Sequence, residues 1–131
     1  MLHPQNPLVL AVLALLRERP MHPYEMSSTM RKRHLDGCIK LNFGSLYHAV
    51  NTLRSAGLIA PLETEREGGR PERTVYALTE AGGRQLQEWL EVLVRQPVKQ
   101  YCHFEAGLCF LDHLPAAAAR ALLRERATRL E

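Results

Sequence analysis

The 131-residue sequence predicts a mainly α-helical fold that contains one small β-hairpin. Two observations predict this fold. Apolar residues recur at three- and four-residue spacing over most of the chain, which is typical of amphipathic helices. Between residues 58 and 78 the period shortens to that of strands, on both sides of a polar turn that contains Gly68 and Gly69. The predicted order is three helices, a hairpin, a long helix and two C-terminal helical segments.

The first two helices begin at prolines. Asn6 is suited to cap the first helix and Pro7 to its first position, and the apolar run that follows predicts burial on most sides. Pro20 disfavours a helical conformation in the residue before it and so ends this helix. The second helix is predicted from Pro23 to Arg33, followed by a connection in which Gly37 is the helix breaker. Its weak apolar stripe consists of Tyr24, Met26 or Ser27, and Met30.

The third helix is predicted from about Gly44 to Ala56, because Asn42 is a good N-cap residue and Gly57 suits the C-terminal turn. At about 100° per residue, its apolar face consists of Leu46, Ala49, Val50 and Leu53. The opposite face consists of Gly44, His48, Asn51, Thr52 and Ser55. These side chains are short, polar and uncharged, whereas a solvated helix is usually rich in Glu and Lys. The face favours a binding role, and capping or ordinary exposure is the alternative for each residue.

The hairpin is predicted to pair residues 59–64 with residues 74–78, with Pro61 at a sheet edge. Residues 63–73, which include the turn, contain four glutamates and three arginines. This turn would be the wing of a winged-helix fold. Since its charges nearly balance, it cannot act as a simple electrostatic clamp on an anionic partner.

Three further helices are predicted after the hairpin. Thr79 caps a long helix that Pro97 ends, with an apolar stripe formed by Leu86, Trp89, Leu90, Leu93 and Val94. The next helix is predicted over roughly Phe104–Leu114. The last begins at Pro115 and has a stripe formed by Ala119, Leu122, Leu123, Arg126 and Leu130. Its pattern still runs at Glu131, which leaves room for a longer natural chain.

The composition excludes several classes of protein. With 46% hydrophobic residues, 24% charged residues and a formal net charge of +3, the chain is typical of a globular protein. Its longest apolar run, Leu8–Leu16, is too short for a bilayer, which needs about 20 residues, and no secretion signal is recognisable. Three cysteines at unremarkable spacing favour reduced thiols and a cytoplasmic location.

No residue pattern predicts catalysis, so we expect neither an enzyme nor a cofactor. Ser45 and His48 are one helical turn apart, but no third partner or oxyanion site accompanies them. Cys102 and Cys109 on one helix would be about 10 Å apart along its axis, too far to share one metal ion. Only Cys109 and His113 could do so, and a helix-packing face is the preferred interpretation of all three.

The element order predicts a winged helix-turn-helix protein that binds double-stranded DNA. In such proteins the second helix of the motif enters the major groove with its N-terminal part towards the bases. Here Pro23–Arg33 would be the supporting helix and Gly44–Ala56 the reading helix, with positive charge just before it at Arg31–Arg33 and Lys40. The residues expected at the DNA are Lys40, Asn42, Gly44, Ser45, His48, Asn51, Arg70 and Arg73.

Three segments resemble the PadR family of transcriptional regulators. They are residues 41–59 with Gly44-Ser-Leu-Tyr47, residues 70–82 with Arg70-Pro-Glu-Arg73, and the stretch His22-Pro-Tyr-Glu-Met26. The resemblance covers roughly residues 8–95. It implies a dimeric repressor that binds a near-palindromic operator and responds to a small molecule, with Tyr47 and the wing arginines at the DNA backbone. The chain departs from the family pattern in its shorter C-terminal helical region.

We therefore expect residues 1–80 to form the DNA-binding domain and residues 81–131 a helical dimerisation region. Trp89 is interpreted either as packing in the core or dimer interface, or as a surface for a flat aromatic effector together with Leu93. The competing function is a winged-helix module whose polar helix face contacts another protein and does not bind DNA.

Overall fold

The computed structural model describes residues 6–64 and 73–131. The predicted wing turn at Gly68–Gly69, with Arg70, lies outside the described residues. The chain forms two compact units, Met1–Pro97 and Val98–Glu131. The first unit contains the helices α1 (Pro7–Glu18), α2 (Pro23–Lys32), α3 (Phe43–Ser55) and α4 (Glu80–Arg95), and the strands β1 (Ile59–Thr64) and β2 (Thr74–Leu78). The predicted order of helices and strands is confirmed.

Helix α1 is the centre of the first unit and packs against α2, α3, β2 and α4. Asn6 caps it as predicted, since its side chain accepts a hydrogen bond from the Leu8 N–H at 3.2 Å. The helix ends at Glu18, and Arg19 has an extended backbone. Seven of its apolar side chains are buried, as expected for a helix that is apolar on nearly every side: Leu8, Val9, Ala11, Val12, Leu13, Leu15 and Leu16.

The hairpin is extended by a single residue that the sequence did not identify. β1 and β2 are antiparallel, and the register shifts between Pro61 and Glu63. On the other side of β2, Met21 forms an isolated antiparallel bridge with Tyr76. Their two backbone hydrogen bonds measure 3.2 and 2.9 Å. Within the described residues β1 pairs only with β2, so it is an edge strand, where a proline is tolerated.

The start of α4 is tied to the turn between α3 and β1. The Thr79 hydroxyl accepts a hydrogen bond from the Gly82 N–H at 3.1 Å and donates one to the Gly57 carbonyl at 2.7 Å. The Thr79 N–H donates to the Leu58 carbonyl at 3.1 Å. These bonds fix the direction in which α4 leaves the hairpin. Of the predicted α4 stripe, Leu86 and Trp89 are buried, whereas Leu90, Leu93 and Val94 are exposed.

The second unit contains α5 (His103–Cys109), a 3-10 turn (Leu111–His113) and α6 (Ala116–Leu130). The predicted helix over Phe104–Leu114 is therefore too long. Helix α5 ends at Cys109 because Phe110 leaves the helical conformation, with φ of −119° and ψ of 20°. Cys109 and His113 consequently do not lie on one α-helix. Among the described residues no three His, Cys, Asp or Glu side chains could hold a metal ion together.

Candidate nucleic-acid interface

The reading helix begins and ends as its sequence predicts, within one residue at each end. Asn42 is the N-cap of α3, and its Oδ1 accepts a hydrogen bond from the Ser45 N–H at 2.8 Å. At the other end Gly57 has a φ of 75°, which favours glycine. The N–H groups of Gly57 and Leu58 donate to the carbonyls of Arg54 and Leu53 at 3.0 Å each. Local hydrogen bonds thus determine where α3 starts and stops.

The two faces of α3 separate as the periodicity predicts. The apolar face is buried in the core of the first unit and consists of Leu46, Ala49, Val50 and Leu53. Ser45, His48 and Asn51 are exposed on the opposite side. The Thr52 hydroxyl donates to the His48 carbonyl at 2.8 Å and is therefore directed to its own helix. The outward face thus presents hydroxyl, imidazole and amide groups and no carboxylate.

Several predicted DNA-contact residues meet at the N-terminal end of α3. Lys40 and Cys38 from the preceding loop line one open cleft together with Gly44, Ser45 and His48. Because the Ser45 N–H already donates to Asn42 Oδ1, it is not available to bind DNA. Side-chain donors at this end include the Ser45 hydroxyl, the Lys40 ammonium group and the ring of His48, all of which can bind phosphate or base edges.

The positive charge before the reading helix is partly neutralised. Arg33 makes a bidentate contact with Glu18, with nitrogen–oxygen distances of 2.7 and 2.9 Å. This hydrogen bonding lowers the pKa of Glu18 and raises that of Arg33. In the part of the chain that the structure describes, Arg31, Lys32 and Lys40 have no carboxylate partner. The positive charge therefore resides mainly on these three side chains.

The supporting helix α2 has an unusual cap. The N-cap residue is His22, whose Nδ1 accepts a hydrogen bond from the Glu25 N–H at 3.3 Å. The Glu25 carboxylate lies 3.1 Å from the His22 Nε2 and 2.7 Å from an Arg19 nitrogen. The chain reverses after α2 at His34, whose φ of 58° is left-handed, rather than at the predicted breaker Gly37. The sequence predicts that His22–Glu25 opens α2 with Pro23 near its first position, but it identifies neither the His22 cap bond nor the left-handed conformation of His34.

An exposed row of aromatic rings links α2 to α3. The ring centroids of Tyr24 and Phe43 are 5.2 Å apart, and those of Phe43 and Tyr47 are 5.1 Å apart. Tyr24 is 52% exposed, so its predicted place on the buried stripe of α2 is wrong. Pro23 is buried instead, with Met26, Ser27 and Met30. Phe43, which the sequence pattern does not single out, lies at the first position of α3, at the edge of its apolar face, and is 37% exposed.

Two predicted positions remain to be located. Arg73 lies next to β2 and is partly buried. Trp89 is only 8% exposed and belongs to the core of the first unit, whereas Leu93 on the next turn of α4 is 38% exposed. The indole therefore packs within the first unit.

The sequence profile of the transcriptional regulator PadR-like family matches residues 12–88, more than half of the chain. The chain belongs to this family. Members are transcriptional regulators rather than enzymes, and the matched range extends from α1 into α4. A comparison with curated proteins finds no match.

The similar solved structures include two PadR-family proteins at 25% identity or above. One is *Bacillus subtilis* PadR in complex with operator DNA, with 25% identity, coverage of 93% of this chain and 68% of that chain, and a TM-score of 0.73. Another is a PadR-family regulator from *Clostridium difficile* R20291, with 26% identity, coverage of 65% and 88%, and a TM-score of 0.51. *Bacillus subtilis* PadR in complex with p-coumaric acid matches at 23% identity over 98% of this chain and 67% of that chain, with a TM-score of 0.72.

These matches confirm the winged helix-turn-helix fold class of the PadR-like chain. They also confirm the predicted resemblance of the chain to the PadR family. In the described part of the chain no helix is long and apolar enough to span a bilayer.

Proposed function

We propose that this chain is a dimeric transcriptional repressor that binds a near-palindromic operator in double-stranded DNA and is released by a small-molecule effector. The observation that carries the proposal is the outward face of α3. This face is polar, exposed and free of carboxylates, while the opposite face anchors the helix in the core. The similarity to *Bacillus subtilis* PadR, which was solved with operator DNA, supports the same use of the fold.

In the proposed complex the first turns of α3 enter the major groove, and α2 crosses the DNA backbone. His48 and Asn51 face base edges, because an amide can bind adenine and an imidazole can donate to base acceptors. Lys40 and Tyr47 contact phosphates on either side of the helix. The full set of proposed contact residues is Lys40, Asn42, Gly44, Ser45, Tyr47, His48, Asn51, Arg70 and Arg73.

Dimerisation is proposed for residues 81–131, with residues 1–80 as the DNA-binding domain. In the first unit α4 exposes Leu90, Leu93 and Val94, and in the second unit α6 exposes Leu122, Leu123 and Leu130; exposed apolar patches are typical of protein–protein contacts. In the proposed dimer the two reading helices lie about 34–36 Å apart, in successive major grooves. The two-fold symmetry of such a dimer is why the operator is proposed to be near-palindromic.

The effector is proposed to be a small aromatic compound that binds beside Trp89 and Leu93. *Bacillus subtilis* PadR was solved with p-coumaric acid, which is a compound of this class. Leu93 is partly exposed one helical turn after the buried Trp89, so a flat ligand that packs on Leu93 would lie next to the indole. Quenching of Trp89 fluorescence by planar aromatic acids, together with release of DNA at the same concentrations, would support this site.

The proposed function is tested by selecting bound sequences from random DNA at moderate salt. We expect a palindrome whose half-site centres are about 10 base pairs apart. Asn51→Ala should weaken binding of the selected site about tenfold or more, as expected for a lost amide–adenine pair. Thr52→Ala is the matched control, because the Thr52 hydroxyl bonds to its own helix and its loss should leave affinity nearly unchanged.

The dependence on salt separates DNA binding from the competing function. DNA binding weakens steeply as salt rises, since each phosphate contact releases counterions. A protein partner on the same face would give little salt dependence. Recovery of no palindrome would refute the repressor proposal.

A further inference from the structure

Phe43 is an exposed aromatic side chain at the first position of the reading helix. It is 37% exposed and lies directly after the Asn42 cap. Ser45 and His48, which are exposed on the same end of α3, have polar side chains. A phenylalanine here leaves part of an apolar ring accessible to a partner that approaches the N-terminal end of α3.

The ring of Phe43 is held in place from two sides. Tyr24 on α2 lies 5.2 Å away with a tilt of 39° between the rings, and Tyr47 on the next turn of α3 lies 5.1 Å away at 63°. These are favourable aromatic geometries. The ring is therefore ordered before any partner binds, so little conformational entropy is lost when it makes a contact.

The chemistry of the ring restricts which part of DNA it can recognise. Phe43 has no hydrogen-bond donor or acceptor, so it cannot bind a phosphate or a polar base edge. Insertion between base pairs would require it to leave both tyrosine rings. The apolar feature that bases present in the major groove is the 5-methyl group of thymine, and phenylalanine is one of the side chains that contact it.

We propose that Phe43 is a specificity-determining residue that reads the 5-methyl group of a thymine in each half-site. Tyr24 and Tyr47 position its ring for this contact. The proposal rests on the proposed function, since it requires that α3 enters the major groove. It adds an apolar contact to an interface whose other contact residues are polar or charged.

The test replaces single thymines of the selected operator by deoxyuridine, which removes only the methyl group. For the unsubstituted chain we expect one symmetry-related pair of thymines at which the replacement weakens binding about fourfold per half-site, from the loss of one buried methyl group. The effect should be about 16-fold when both half-sites carry deoxyuridine.

Two variants of Phe43 make the test specific. Phe43→Ala should bind the thymine and deoxyuridine operators equally well, while Phe43→Leu should keep part of the discrimination. Thr52→Ala is the control, because the Thr52 hydroxyl bonds to its own helix and Thr52 is not among the proposed contact residues. It should discriminate as the unsubstituted chain does. Thermal unfolding of each variant verifies that the fold is retained.

The possible results separate the two proposals. If Phe43→Ala weakens both operators equally but keeps the thymine preference, Phe43 only supports Tyr47 and the methyl assignment is wrong. The assignment is also wrong if a palindrome is selected but no thymine is sensitive to deoxyuridine. If no DNA is selected at all, the repressor proposal fails, and the methyl contact fails with it.

Discussion

Gly82 lies where the first turn of α4 meets the end of the α3–β1 turn. A Cβ atom at this position would be 2.0 Å from the Leu58 carbonyl oxygen and 2.7 Å from a methyl carbon of Leu78. The first of these neighbours is backbone, which cannot rotate away. Substitution by alanine would therefore force α4 to move from Leu58 by more than an ångström.

This movement would cost free energy in two ways. Forcing an extra methyl group into a packed site costs about 1–3 kcal/mol. It would also stretch the two hydrogen bonds by which Thr79 holds Leu58 and Gly57, at 3.1 and 2.7 Å; each contributes about 0.5–1.5 kcal/mol. The gain from replacing glycine in a helix is at most about 1 kcal/mol. We therefore expect Gly82→Ala to lower the free energy of unfolding by about 2–4 kcal/mol, after the balance of these effects.

Gly83→Ala is the matched control on the same helix. Its Cβ atom would meet only a methyl carbon of Leu78 at 3.8 Å, which is ordinary contact. It should therefore gain stability, by about 0.5–1 kcal/mol from the helix propensity of alanine. Urea denaturation followed by circular dichroism measures both variants. Equal midpoints for Gly82→Ala and Gly83→Ala would refute the conclusion that close backbone packing requires glycine at position 82.

Three further predictions concern the interface and its supports. His34→Val should lower the free energy of unfolding by about 1 kcal/mol or more, because a β-branched residue tolerates the left-handed φ poorly. His34→Asn should leave the free energy of unfolding nearly unchanged, and thermal unfolding measures both variants. Arg33 holds the pKa of Glu18 below its ordinary value of 4.5 through a hydrogen bond, so this pair stabilises the fold above that pH and ceases to do so as the pH falls through the lowered value. The urea midpoints of the unsubstituted chain and of Glu18→Gln should therefore differ at pH 7 and converge in acid. A difference that stays constant with pH would contradict the pairing. Asn42→Asp keeps an oxygen acceptor for the Ser45 N–H and so should retain stability, but its negative charge should weaken operator binding measured by fluorescence anisotropy; unchanged affinity would place Asn42 away from the DNA.

The parts of the fold that could be predicted from the sequence depend on local chemistry. Asn42 and Gly57 delimit α3 because a cap and a left-handed turn involve only residues a few positions apart. Burial of α1 follows from its apolar composition. The same reasoning located Thr79 as the cap of α4.

The features that could not be predicted are contacts between distant residues or backbone atoms. Arg33 contacts Glu18 across 15 positions of sequence, so the basic stretch before α3 has less free charge than its composition indicates. The bridge between Met21 and Tyr76 involves backbone atoms alone and has no side-chain signal. Phe43 meets Tyr24 only because α2 and α3 pack together. Periodicity concerns one helix at a time and does not predict contacts between helices.

These pairings bear on how a PadR-like chain of this charge can recognise DNA. Glu25 pairs with Arg19, and Glu18 pairs with Arg33. The charges of residues 63–73 nearly balance. General attraction to phosphates is therefore modest, and the proposed selectivity depends more on groove contacts from α3. Those contacts require α3 to be held accurately at both ends. Asn42 fixes its beginning, and the close packing at Gly82 fixes the turn after its end, so the two features link the stability of the fold to the proposed reading of DNA.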